Sequence, residues 1–156
     1  MKKLKLALIL LFIIVLVIGA YFIKINSGIL VCTNTYTEDN VSFKTVSKVE
    51  YKNKVATKLV TIETITSTDE QLLQDYKTNL EMMYLKFNEI PHYTNTISVK
   101  EDVLTSKTTI DYKKISLKEL IKVDSSFNEV IKNNKVLITK LKKQYKSTGA
   151  YCKYKN

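Results

Sequence analysis

Apolar and polar positions alternate with a period of two over Val41 to Lys52, where Val41, Phe43, Thr45, Ser47, Val49 and Tyr51 share one face. That period predicts a strand with one side against a core. Gly28 to Asp39 reads as a strand before it. A tight turn at Lys52-Asn53 leads into Lys54 to Thr66, rich in Val, Thr and Ile, as the return arm of a hairpin. Leu59 falls on one face of that arm and Val60 and Ile62 on the other, so the pattern leaves its phase open.

At "STDEQ" the period changes. Ser67 or Thr68 as N-cap, Glu70 or Gln71 three residues on, and acids in the first turn predict a helix start. Leu72, Tyr76, Leu80, Met83 and Phe87 then form one apolar stripe up to the stop at Pro91, and such a stripe reads as core. A second hairpin follows, Thr94 to Lys100 and Val103 to Lys113, with its turn near Glu101-Asp102 and Leu104, Thr108, Ile110 and Tyr112 on one face. "SLKE", Ser116 to Glu119, is a capping box that opens a short helix. A last helix is expected from about Asn134 to Ser147, stopped by Gly149. Its wheel puts Leu137, Ile138, Leu141 and Tyr145 on one face and Lys132, Lys135, Lys142, Lys143 and Lys146 on another. Ala150 to Tyr154 closes the chain as a strand. Hairpins separated by helices give an α+β class, an antiparallel sheet with helices packed on one face.

One segment does not belong to this domain. Leu6 to Ile23 carries no charge, and as a helix its residues would span roughly 27 Å, enough for a hydrocarbon core. Lys2, Lys3 and Lys5 precede it and only Lys24 follows closely, which sets the N-terminus in the cytoplasm and the remainder outside. The organisation expected is a basic n-region over 1–5, a single transmembrane signal-anchor over 6–23, a linker over 24–28 and an extracytoplasmic domain over 29–156. The alternative is a cleaved signal with its cut near Ala20 and a secreted product. Ile18 is bulky where a cleavage motif takes a small residue, and Tyr21, Phe22 and Ile23 prolong the apolar run, so retention is the reading taken.

Charge changes the picture in one place. The net charge is +10, from 25 lysines, no arginine and 15 acids. The absence of arginine argues against nucleic acid as a partner, because its planar fork does much of the specific work there. From Lys132 onward there are eight lysines and no acid. The lysine face of the last helix is therefore the candidate contact for anionic lipid or an anionic wall polymer.

Two cysteines, Cys32 and Cys152, stand near the two ends of the outer domain. An even count in an oxidising compartment predicts a structural disulfide, which would set the first and last strands side by side. No CxxC, glycine-rich phosphate loop, nucleophile elbow or metal-ligand cluster is present, so neither cofactor nor metal is expected. His92 is the sole histidine and follows Pro91 in a loop, the setting of a surface residue rather than of a general base.

Three stretches carry a resemblance: "VEYKNKVATKL" at Val49 to Leu59, "STDEQLLQDY" from Ser67, and "TTIDYKKISLKEL" at Thr108 to Leu120. With "GAYCK" at Gly149 to Lys153, the chain resembles the YehR-like bacterial lipoproteins and their single-pass relatives in low-GC Gram-positive bacteria. The resemblance implies a small extracytoplasmic α+β domain without an assigned active site. It departs at Tyr21, where lipoprotein members have their acylated cysteine. Together these readings lead to a non-enzymatic binding or interaction module at the bacterial cell surface, held by its N-terminal helix and meeting an anionic surface or a protein partner. An envelope enzyme, or a structural or sensory subunit of a membrane complex, are the alternatives.

Overall fold

The computed structural model describes residues 26–155, so the expected n-region, the anchor over 6–23 and the first linker residues lie outside it. Among the described residues no helix is long and apolar enough to cross a membrane. Within the described residues, eight strands and four helices follow in the order β1 (Ser27–Glu38), β2 (Val41–Lys52), β3 (Val55–Thr66), α1 (Glu70–Asn88), β4 (Tyr93–Lys100), β5 (Val103–Asp111), α2 (Leu117–Val123), α3 (Phe127–Val130), β6 (Ile131–Lys132), β7 (Lys135–Val136), α4 (Ile138–Ser147) and β8 (Tyr151–Lys155). β1 begins inside the segment expected as linker, because Ser27 and Gly28 already pair with Lys52 and Tyr51.

Six strands form one antiparallel sheet in the order β4-β5-β3-β2-β1-β8. The β1–β2 and β2–β3 hairpins turn on Asp39-Asn40 and Asn53-Lys54, all four at positive φ. Paired positive φ values twist the backbone with the strands, which is why two-residue loops can join them. The second loop thus sits one residue later than the sequence suggests. The phase of β3 is settled by a register shift between Glu50 and Tyr51. It leaves Leu59 buried opposite Val49, while Val60 and Ile62 fall on the other face and stay partly exposed.

The inner face holds two apolar clusters. One gathers Leu30, Val49, Leu59 and Ile110 beneath Leu120 of α2, Val130 of α3, and Ile138 and Leu141 of α4. The other gathers Val41, Ile65 and Leu104 beneath Leu73 of α1, with Tyr76 and Leu80 against it. α1 runs along β4 and β5, and α4 along β1 and β8. Both therefore cover the same face of the sheet, as expected.

Three local expectations change. The N-cap of α1 is Asp69, whose Oδ1 accepts from Leu72 N at 3.0 Å, while Ser67 Oγ accepts from Asp69 N at 3.1 Å. A carboxylate is the stronger acceptor at a helix N-terminus, so the cap moves to it. Met83 does not belong to the buried stripe: it is 52% exposed, and the ring of Tyr84 packs inward in its place. The last helix does not begin at Asn134. Asn133 and Asn134, at φ 51° and 55°, turn the chain between β6 and β7, and α4 starts at Ile138. Asparagine tolerates the left-handed region that a hairpin loop needs, and a two-residue loop wins over helix there. Ser116 caps α2 as expected, accepting from Glu119 N.

α4 ends as the sequence implies. Gly149 has φ +86°, its N–H donates to Lys146 O at 3.1 Å, and Ala150 N donates to Tyr145 O at 3.0 Å. This pair of bonds satisfies the last carbonyls and reverses the chain into β8. β8 joins β1 with Cys32 opposite Cys152, and the two are bonded across 120 residues of sequence.

Closing so long a loop stabilises the fold by roughly 4 to 5 kcal/mol in the chain-entropy description. The Cys32→Ser, Cys152→Ser double variant should therefore lose most of its resistance to urea, read as a lower midpoint in an equilibrium unfolding curve. Tyr112 gives the opposite case, since its hydroxyl is buried without a hydrogen-bond partner among the described residues. Tyr112→Phe removes that orphan and should leave the midpoint unchanged or raise it by the equivalent of about 1 kcal/mol.

Candidate functional site

The two apolar clusters do not meet. Cross-strand pairing aligns the inner face in rows: Val49, Leu59, Ile110 and Tyr93 form one, and Phe43, Ile65, Leu104 and Val99 form another. Between them run two rows of different chemistry. Ser47, Thr61, Thr108 and Asn95 make the first, and Thr45, Glu63, Ser106 and Ile97 the second. A polar band thus crosses the middle of a face that is apolar at either end.

Its members are satisfied mainly by one another. Ser47 Oγ and Thr61 Oγ1 share a hydrogen bond of 3.0 Å. Asn95 Nδ2 donates to Ser106 Oγ at 3.0 Å and to Thr108 Oγ1 at 2.9 Å. Tyr84 Oη donates to Glu63 Oε2 at 3.0 Å, carrying a helix side chain down to the sheet. These bonds matter because a buried hydroxyl without a partner costs more than the bond itself returns.

Above the band lies an open cleft of about 310 Å³. Its floor is Ser47, Thr61, Glu63 and Thr108, and its walls carry five aromatic rings: Tyr84 and Phe87 of α1, Tyr93 of β4, Phe127 of α3 and Tyr145 of α4. Phe87 and Tyr93 stack with centroids 5.1 Å apart, and Tyr84 lies 6.3 Å from Phe87. Asp124, which ends α2, adds a second carboxylate. The lining contains no lysine, although the chain has 25 basic residues.

The phenols feel this setting. Burial raises Tyr84 well above the usual phenol range, and the negative charge of Glu63 adds to it. Burial pushes Tyr93 up to about 12, with hydrogen bonding to Thr108 opposing and Glu63 reinforcing the rise. Tyr145 is raised by burial as well, against hydrogen bonding to Ser47 and Thr61. All three therefore remain neutral at any physiological pH.

The five lysines expected on one helix face are divided. Lys132 and Lys135 face each other across β6 and β7, on the hairpin that replaces the first helical turn. Lys142 lies over the ring of Tyr154 at 4.2 Å, while Lys143 and Lys146 are exposed on α4. His92 is exposed in the turn before β4, at φ 70°. The sequence reading missed Glu63, Tyr84 and Tyr93, and placed Tyr145 only on a helix face with Leu137, Ile138 and Leu141, without a cleft for it to line. One signal for the cleft was visible: Thr45 and Ser47 occupy inward positions of an otherwise apolar strand face.

Comparison with protein-family models finds no match, and no curated protein matches. Two solved structures share the fold. The NMR structure of the YehR protein of E. coli superposes with a TM-score of 0.56 at 16% identity, over 78% of this chain and 88% of that one. The NMR structure of a protein from Streptococcus pneumoniae TIGR4 gives 0.54 at 10% identity, over 80% and 85%. The YehR-like fold implied by the sequence features is thus supported, and at these identities the likeness is one of fold alone.

Raised phenols make alkaline stability a readout of the cleft. Above about pH 10 the unfolded chain releases its phenolic protons while Tyr84, Tyr93 and Tyr145 keep theirs, so the unfolded state binds fewer protons and stability falls with rising pH. The fall should begin near pH 10 and continue through the folded value of Tyr93 near 12. Absorbance at 295 nm at pH 11 should show fewer than the ten tyrosines ionised in the native protein, with the remainder released by guanidinium. Equal titration in both states would contradict the assignment.

Proposed function

We propose that this chain is a membrane-tethered, extracytoplasmic binding module that takes a small ligand, or the end of a polymer, in the cleft between α1 and α4. The observation that carries the reading is the polar band. A fold with only stability to serve would continue its apolar rows across the sheet. Here the middle of the face is given to hydroxyls, an amide and a carboxylate beneath a ring of aromatic side chains. A concave site with a few convergent polar groups among aromatic walls is the usual form of a ligand pocket, and about 310 Å³ lies at its small end.

Catalysis finds less support. The cleft lining holds no histidine, cysteine or lysine. Ser47 and Thr61 are bonded to each other, and among the described residues no hydrogen bond joins either hydroxyl to the Glu63 or Asp124 carboxylate. The tether is the apolar run over 6–23, which does here what the acylated cysteine does in lipoproteins of the YehR type, and the Cys32–Cys152 bond suits the oxidising side of a membrane. Exposed lysines of the last 25 residues supply a second, salt-sensitive contact with anionic lipid or wall polymer.

Isotope-labelled protein mixed with a soluble extract of cell envelopes should show amide shifts concentrated at Thr45, Thr61, Glu63 and Thr108. Thr61→Trp, which fills the cleft, should abolish them. Shifts confined to the lysine-rich end, unchanged in Thr61→Trp, would overturn the cleft as the binding site. Changing Lys135, Lys142, Lys143 and Lys146 together to Gln should weaken sedimentation with anionic vesicles and leave the cleft shifts in place. Full-length protein should fractionate with membranes and keep Met1 or Lys2 as its N-terminus; a start at Tyr21 would show that the segment is removed.

A further inference from the structure

Charge in the cleft runs against charge in the chain. The protein is +10 overall, yet the groups lining the cleft include two carboxylates, Glu63 and Asp124, and no lysine. Among the described residues no lysine Nζ lies within 4.0 Å of the Glu63 carboxylate, since the ion pairs there are Lys77 with Glu81 and Lys114 with Asp111. One oxygen of Glu63 accepts from Tyr84. Its charge is thus held in a half-buried position by a neutral phenol, without a counter-cation from the protein. Five aromatic rings, from four different elements, line the same cleft.

An anion would meet Glu63 directly and find no cationic side chain in the lining. A neutral sugar could use the hydroxyls but would leave the carboxylate's charge unanswered. A compact organic cation satisfies each group at once: its charge faces Glu63, its N–H or polarised C–H groups meet the Ser and Thr oxygens, and its alkyl part lies against aromatic surface. Ring faces attract such cations through their quadrupole, most strongly when water is displaced. The hydrated and flexible lysines of the protein itself are kept out of the lining.

Resting on the cleft as the ligand site, we propose that it recognises an organic ammonium group, with Glu63 answering the charge and Tyr84, Phe87, Tyr93, Phe127 and Tyr145 enclosing the alkyl part. Neutral phenols serve this role better than phenolates would, because Tyr84 donates to Glu63 and fixes its orientation, and none of them adds charge.

The test uses the full-length protein in a non-ionic detergent, with amide shifts followed during titration with butylammonium chloride, with n-butanol as the neutral counterpart, and with potassium chloride. Butylammonium should give saturable shifts at Thr61, Glu63 and Thr108, and n-butanol should bind there at least tenfold more weakly. Potassium chloride should leave those amides still. Glu63→Gln keeps an acceptor for Tyr84 and removes the charge, so it should weaken butylammonium at least tenfold and leave n-butanol unchanged. Phe127→Leu should weaken butylammonium about threefold, in line with the loss of one ring from a cation site. Equal binding of the two four-carbon probes in the cleft would leave the ligand site standing and overturn the ammonium assignment. So would butylammonium binding that Glu63→Gln does not alter, a comparison read only after the variant's amide spectrum matches the native one. If neither probe nor envelope extract perturbs cleft amides, the binding-module reading fails with it. The comparison of butylammonium with n-butanol on the unaltered protein needs no variant and decides the charge preference by itself.

Discussion

Everything on the inner face depends on the register in which β2, β3, β5 and β4 are paired. Each strand carries a short polar stretch between apolar ends, and pairing aligns three of the four strands so completely that like meets like in every row. Slipping β3 by one residue would turn Glu63 and Thr61 to the outer face and bring Val60 and Ile62 inward. The irregularity at Glu50 and Tyr51 is what prevents this, since it lets the hairpin loop at Asn53-Lys54 coexist with the inward phase of Leu59. A local defect in the ladder thereby fixes the chemistry of a cleft two rows away.

The same dependence explains what could be read from the chain. The alternation of β2 was legible because each strand face announces itself at a period of two, and the stapling of the chain ends followed from two cysteines in a domain of this size. The phase of β3 was not legible, because Leu59 against Val60 and Ile62 is a conflict that only the partner strands resolve. Glu63 could not be singled out for the same reason: its burial is a property of its neighbours Thr45 and Ser106, not of its own surroundings in sequence. Tyr84 and Met83 are adjacent, and a helical stripe drawn through either fits nearly as well. Lys132 and Lys135 lie off the last helix because Asn133 and Asn134, residues at ease at positive φ, turn the chain before the helix begins at Ile138.

Segregation of charge gives the domain two unlike ends of behaviour. Two carboxylates and three neutral phenols line the cleft without a lysine, while lysines dominate from Lys132 onward and lie on the β6–β7 hairpin, α4 and β8. Only two ion pairs occur among the described residues, both between near neighbours on exposed surface. Such pairs contribute little to stability. Cohesion comes from the two apolar clusters, the hydroxyl network that joins them, and the covalent closure at the sheet edge.

That closure has a mechanical side. Tyr145 reaches the cleft from α4, and α4 is followed directly by the Gly149 reversal and β8. β8 is an edge strand of five residues, which by hydrogen bonds alone would be the first part of the sheet to peel away. Because Cys152 is bonded to Cys32, a load entering along β1 meets the ladder with β2 from Ser27 onward and, at Cys32, a covalent link into β8. Tension along β1 is thus shared between β2 and β8, and the short edge strand that follows α4 is held to the sheet by a bond that does not peel.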